Sequence, residues 1–253
     1  MTTRGLHFTR AFFELQAFWV GRVVELAHID RLTAWLDWTS MSALVDSDGW
    51  HAIDSAVHNG DPAQAAYRSW LALRAALGTS QHGCFWYEVE DEGQQIRLHF
   101  ANREGPGALE PGRRAVRRAE LASALADAWR VAPQAERLRG GSWLYHLAGY
   151  RALFPPNFLA GASEADSRGE VGQLALWGQF VRGDGGLYLP RTEQFVRACE
   201  QATQVDDLVA AFPLAKLDVV GSVDDVLDWV KLASPGQGVG DGGGEGLGLG
   251  GGG

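Results

Sequence analysis

The sequence predicts an α/β chain, with α+β as the alternative. The expected architecture is a mixed sheet of about five or six strands covered by helices, behind a helical N-terminal region. Three observations carry this. Apolar residues recur at helical spacing through the first third of the chain. The period switches to strand-like alternation near Cys84. Helix-like and strand-like runs then follow one another to the C-terminus, as in a sheet covered by helices.

The run from Thr9 to Asp37 contains no proline and repeats Phe12, Leu15, Trp19, Val23 and Leu26 on one face. It predicts a helix with Thr9 at its start, weakened at Gly21, since glycine costs roughly 1 kcal/mol inside a helix. A shorter helix is expected around Trp50 to Val57. The next is the clearest: Asp61 suits the N-cap, Pro62 the first helical position and Gly78 the stop. Its stripe is Ala66, Tyr67, Trp70, Leu73 and Leu77.

Cys84 to Val89 and Gln94 to Phe100 flank Asp91-Glu92-Gly93, a turn signal, and predict a β-hairpin. Ile96, Leu98 and Phe100 share one face, Arg97 and His99 the other. A Gly/Pro loop from Asn102 to Gly112 leads into a helix ending near Trp129 or Val131, with Pro133 beyond it. Arg137 to Tyr145 is expected as a strand, followed by a short helix closed by Pro155-Pro156. Gly172 to Val181 is the next expected strand, with Leu187 to Leu189 pairing back. Helices at Thr192 to Ala202 and Val205 to Ala211, a strand at Leu217 to Val220 and a final helix capped by Ser222 complete the chain.

The expected organisation is a helical region over residues 1–80, an α/β domain over 81–233 and a disordered tail over 234–253. Twelve of the 33 glycines lie in Gly236 to Gly253, which cannot bury enough surface to fold. The chain is 46% hydrophobic and 21% charged, which excludes a disordered or collagen-like protein. Its net charge of −9 opposes nucleic-acid binding. No uncharged apolar run is long enough to span a membrane, and no secretory signal pattern opens the chain, so a cytoplasmic protein is expected. Cys84 and Cys199 match no metal spacing and read as buried free thiols. No histidine pair has a metal-ligand spacing, so no metal is expected. Only Lys216 and Lys231 are lysines, against 20 arginines. That bias is read as the imprint of a GC-rich genome.

Chemistry is concentrated between Gln95 and Val181. Arg113, Arg114, Arg117 and Arg118 crowd a helix N-terminus, where the dipole is already positive. Either an anion such as phosphate binds there, or acids such as Glu110 and Glu120 pair with them. The run Gly140-Gly141-Ser142-Trp143-Leu144-Tyr145-His146-Leu147-Ala148-Gly149-Tyr150-Arg151-Ala152-Leu153-Phe154-Pro155-Pro156 follows. It resembles a motif of an uncharacterised bacterial family and, distantly, the C-terminal half of GNAT-like acyltransferase domains. The order strand, helix, strand, short helix with Pro-Pro, strand extends that resemblance over about 90 of the 253 residues. Tyr145-His146-Leu147 stands where that domain has Asp-Pro.

The resemblance implies a GNAT-like sheet and an acyl-CoA-dependent acyltransferase with a small-molecule acyl acceptor. The cofactor's pyrophosphate would then meet Asn102, Gly105 and Gly107 of the loop and Arg113, Arg114 and Arg117 of the helix. His99 or His146 would be the general base, with Tyr145 and Tyr150 as candidate acids. The alternative is a non-catalytic module that keeps the fold and binds a ligand or a protein partner. The departures at Asn102, Pro106 and Tyr145-His146-Leu147 favour it.

Overall fold

The fold, taken from a computed structural model, is described for residues 7–76, 82–102, 104, 107–165 and 167–232. The glycine-rich tail, Gly78 and Gly105 lie outside these residues.

Four helices open the chain: α1 (Arg10–Ala27), α2 (Arg31–Trp38), α3 (Ser47–Asn59) and α4 (Pro62–Ala76). The expected helix from Thr9 to Asp37 is therefore two. His28 turns left-handed at φ 54°, and Asp30 starts a new helix by accepting from the Thr33 N–H at 2.9 Å. A local cap outcompetes continuation because it satisfies an otherwise orphaned donor. Thr9 sits at the N-cap of α1 but makes no side-chain cap bond. Asp61 caps α4 as expected, accepting from Gln64 N at 3.0 Å.

Strands β1 (Phe85–Glu90) and β2 (Gln95–Phe100) form the expected hairpin, pairing Trp86 with His99 and Glu88 with Arg97. Helix α5 (Arg114–Val131) then crosses to β3 (Arg137–Ser142), which runs parallel to β2. The ladder between them ends at Leu98 and Gly140. Next come α6 (Ala148–Arg151), α7 (Pro156–Ala160), β4 (Ser163–Glu164), α8 (Ser167–Glu170) and α9 (Leu174–Trp177). The last elements are α10 (Leu189–Gln201), α11 (Val205–Val209), β5 (Leu217–Ser222) and α12 (Val223–Leu232). The fold is α/β, with one mixed five-stranded sheet in the order β1-β2-β3-β5-β4.

Two expected strands are corrected. Residues 172–181 do not form one: they hold α9 and a 3-10 turn over Gly178–Phe180. Leu176 and Trp177 are both buried, although neighbours on a strand point to opposite faces. A helical turn sends both into one core, and the Trp177 indole N–H donates to the Val171 carbonyl at 2.7 Å. Leu187 does pair back, through a single bridge to Val181. The strand from Arg137 stops at Ser142, short of Tyr145, because the Ser142 hydroxyl accepts from Leu144 N at 3.1 Å and starts a 3-10 turn over Trp143–His146.

Two hydrophobic cores result, and each draws on distant stretches. The first joins Phe12, Phe13, Trp19 and Trp70 to Trp177, Phe180, Phe195 and Phe212. The second lies between the sheet and α5, α6, α7 and α12, and holds Ile96, Leu98, Leu121, Leu125, Leu138, Tyr150, Phe154 and Val226. Residues 171–212, grouped with the sheet from sequence, thus pack on the N-terminal helices.

The glycine of Ala148-Gly149-Tyr150 fits a close approach. A Cβ on Gly149 would stand 2.3 Å from the Leu109 carbonyl oxygen. Gly149→Ala is expected to cost about 1–3 kcal/mol through overpacking. Urea denaturation checks this, with an unchanged midpoint as the contrary result.

Candidate functional site

Alternation along the strands sorts the sheet into an apolar face and a polar one. Phe85, Ile96, Leu98, Leu138 and Val219 point to the helices, and Glu88, Glu90, Arg97, His99, Arg139 and Asp218 to the other side. On that polar face lies a shallow cleft of about 740 Å³, lined by Glu90, Asp91, Gln95, Arg139, Asp218 and Val220. Its carboxylates each have an arginine beside them. Arg97 lies 3.3 Å from Glu90, Arg137 2.9 Å from Asp91, and Arg139 3.5 Å from Asp218. Burial raises the Glu90 pKa, but hydrogen bonds from Gln95 and Arg97 outweigh it and hold the carboxyl below its usual range. Beyond Asp218, the buried Lys216 ammonium pairs with Glu170 at 2.8 Å and with Asp218 at 3.4 Å. Gly141 leaves room for it, since a Cβ there would meet Lys216 Cε at 2.5 Å.

The predicted acid–base residues are not gathered at one place. His99 lies on the polar face, stacked on Trp86 at 4.9 Å, with Nε2 3.1 Å from the Glu88 carboxylate. Burial lowers its pKa despite Glu88. Tyr150 packs against Phe100 at 5.4 Å, on the opposite face of the sheet. Tyr145 stands beside it, ring to ring at 5.1 Å, and the two hydroxyls share a hydrogen bond. Both tyrosines are fully buried, and burial raises both pKa values. His146 is exposed, and its Nε2 meets the Ala215 carbonyl at 3.0 Å.

The arginines expected to face a pyrophosphate meet acids instead. Arg117 is completely buried, 2.8 Å from Glu104 and 3.1 Å from Glu120, and touches the Cys84 thiol. Arg113 pairs with the same Glu104. Burial pushes Glu104 up, but the bonds from Arg113 and Arg117 hold it below its ordinary value. Burial raises Glu120, partly offset by the Cys84 N–H and Arg117. Arg114 is exposed, and Arg118 donates to the Ala152 carbonyl at 2.8 Å while stacking on Trp229. The Asn102 side chain accepts from Glu104 N at 3.2 Å, which holds the glutamate toward the arginines. Gly107 adopts φ 83°, with the Glu110 carboxylate folded against it.

Sequence reasoning passed over four residues on the helix-covered face. His82 bridges Ser123 and Asp127, and Tyr87 donates to the same Asp127. The available signal was the four-residue spacing of Ser123 and Asp127, which puts both on one side of α5.

Among the described residues no group of three or more His, Cys, Asp or Glu is arranged to hold a metal ion. None of their helices is long and apolar enough to cross a membrane. Both cysteines are buried, and burial pushes the Cys199 thiol up to about 12. Compared with known proteins, the chain matches no family, no curated protein and no solved structure.

Proposed function

We propose that the protein is a binding module on an α/β fold, taking a small zwitterionic ligand, without turning it over, in the non-catalytic cleft of the polar sheet face. The charge array of the cleft carries this reading. Glu90, Asp91 and Asp218 offer carboxylates, and Arg139 offers a planar guanidinium fork. Their partly exposed ion pairs hold together by only about 0–1 kcal/mol each. A ligand carrying both a cation and a carboxylate replaces one such pair at little cost and brings its own two.

A second reading, an acyl-CoA-dependent acyltransferase with a GNAT-like sheet and a small-molecule acceptor, has one observation in its favour. The unit β2, loop, α5 and parallel β3 follows the order that the resemblance implies. Against it stand Glu104 and Glu120, which already neutralise Arg113 and Arg117. A pyrophosphate would have to displace both.

A thermal-shift titration of the full chain with arginyl-glutamate and with acetyl-CoA, at low and high salt, separates the two. The expected result is a saturable stabilisation by the dipeptide that weakens with salt and disappears in Arg139→Ala. A site filled at one hundred times its Kd would add about 2.7 kcal/mol. Stabilisation by acetyl-CoA instead, lost in Arg113→Ala, would overturn the binding-module reading in favour of the second.

A further inference from the structure

Ser123 and Asp127 lie one turn apart on α5, and the His82 ring spans them. Its Nδ1 is 2.9 Å from the Ser123 hydroxyl and its Nε2 3.2 Å from the Asp127 carboxylate. Gly83, at φ 63°, lets the chain turn sharply behind His82, with Phe85 N bonded back to the His82 carbonyl at 3.1 Å. Asp127 is oriented in turn: the Tyr87 hydroxyl donates to it at 3.0 Å, and Arg130 pairs with its second oxygen. The Tyr87 bond is the largest influence on the Asp127 carboxyl; burial opposes it, and the His82 bond with the Arg130 charge tips the balance and holds the carboxyl below its ordinary range.

An ionised carboxylate can only accept, which assigns the Nε2–H to the bond with Asp127 and leaves Nδ1 as the base that faces the serine hydroxyl. A helical serine can bond back to a carbonyl one turn earlier. Ser123 meets an imidazole instead, and it is exposed to solvent. Nucleophile, base and orienting acid are thus in sequence, and such a set is recognised by geometry rather than by chain order.

We infer that Ser123, His82 and Asp127 form a nucleophilic relay in which Ser123 takes an acyl group from activated esters. Ser123 Oγ bonds to the acyl carbon while its proton passes to His82 Nδ1. The bond from the acyl carbon to the leaving oxygen then breaks, the alcoholate departs, and the imidazolium releases its proton to water. Ser123 lies inside α5, where the backbone N–H groups are held in helical bonds. Without an oxyanion hole among them both half-reactions lack that help. An activated ester has a good leaving oxygen, whereas the serine ester that forms has a poor one, so deacylation is the slower step and the acyl-serine accumulates. The relay lies on the helix-covered side of β1, across the sheet from the cleft, so it stands or falls independently of the cleft's ligand.

The test treats the full chain with p-nitrophenyl acetate, follows p-nitrophenolate release and maps acetyl adducts by peptide mass. Competing amines are few: Lys216 is buried, leaving Lys231 and the N-terminus. Ser55, an exposed serine inside α3, is the internal control. The expected result is a burst of one equivalent, with the acetyl group on Ser123 and the burst absent in Ser123→Ala. His82→Ala is expected to slow acetylation about 10²–10⁴-fold, with added imidazole restoring part of the rate. Asp127→Asn, which keeps the shape, is expected to slow it as well. Acetylation of Ser123 no faster than of Ser55, or unchanged in both His82→Ala and Asp127→Asn, would overturn the proposal.

Discussion

Trp177→Ala is expected to destabilise the protein by about 3–5 kcal/mol, the cost of emptying a large aromatic site in a packed core. Trp177 is wholly buried, with rings of Phe12, Trp19, Phe180, Phe195 and Phe212 within 5.2–6.4 Å of it. These neighbours come from α1, the turn after α9, α10 and the segment after α11, so no single element can shift to fill the space. For a chain of this size each kcal/mol moves Tm by roughly 2–4 °C, so a fall of about 6–20 °C is expected. Trp177→Phe keeps most of the volume but leaves the Val171 carbonyl without its indole donor. Its cost is expected to be smaller, about 1–3 kcal/mol. Calorimetry of the three proteins checks the order. Equal Tm values for wild type and Trp177→Ala would mean that this core is loosely packed.

Arg117→Met is expected to cost about 3–5 kcal/mol, because it strands buried negative charge. Glu120 keeps only 17% of its side-chain exposure, and it would face Glu104 without the guanidinium between them. Adding Glu120→Gln and Glu104→Gln to Arg117→Met removes the stranded charge and is expected to recover most of the loss. Replacing a whole buried ion cluster is often neutral, whereas breaking it is not. Guanidinium chloride titration of the single and triple variants distinguishes these cases. A loss under 1 kcal/mol for Arg117→Met would show that water reaches the carboxylates, and would return this end of α5 to consideration as an anion site.

Much of the fold was legible because local signals agreed with one another. In α4, Asp61, Pro62 and the apolar stripe all point to one helix. In the hairpin, alternation and the Asp91-Glu92-Gly93 turn do the same. Residues 172–181 were not legible. There a single helical turn sits inside a core built by distant helices, and its two adjacent buried residues mimic a strand buried on both faces. The arginine cluster announced a need for counter-charge. That Glu104 supplies it depends on loop geometry fixed by Asn102, which spacing does not encode. The relay was hidden for a similar reason. Ser123 and Asp127 are 41 and 45 positions from His82, and the turn at Gly83 helps bring the ring over α5.

The way the first core is shared between the two ends of the chain also sets a timetable for synthesis. Helix α1 leaves the ribosome early, but its partners Trp177, Phe195 and Phe212 follow only after the whole sheet segment through β4 has been made. At about 5–20 residues per second, the delay from the end of α1 to Trp177 is roughly 8–30 s. The sheet waits as well, because β5 must enter between β3 and β4. Neither half can close before the last third of the chain arrives. Through that interval Phe12 and Trp19 of α1 lack their late ring partners, and this apolar face is a natural stretch for a chaperone to hold.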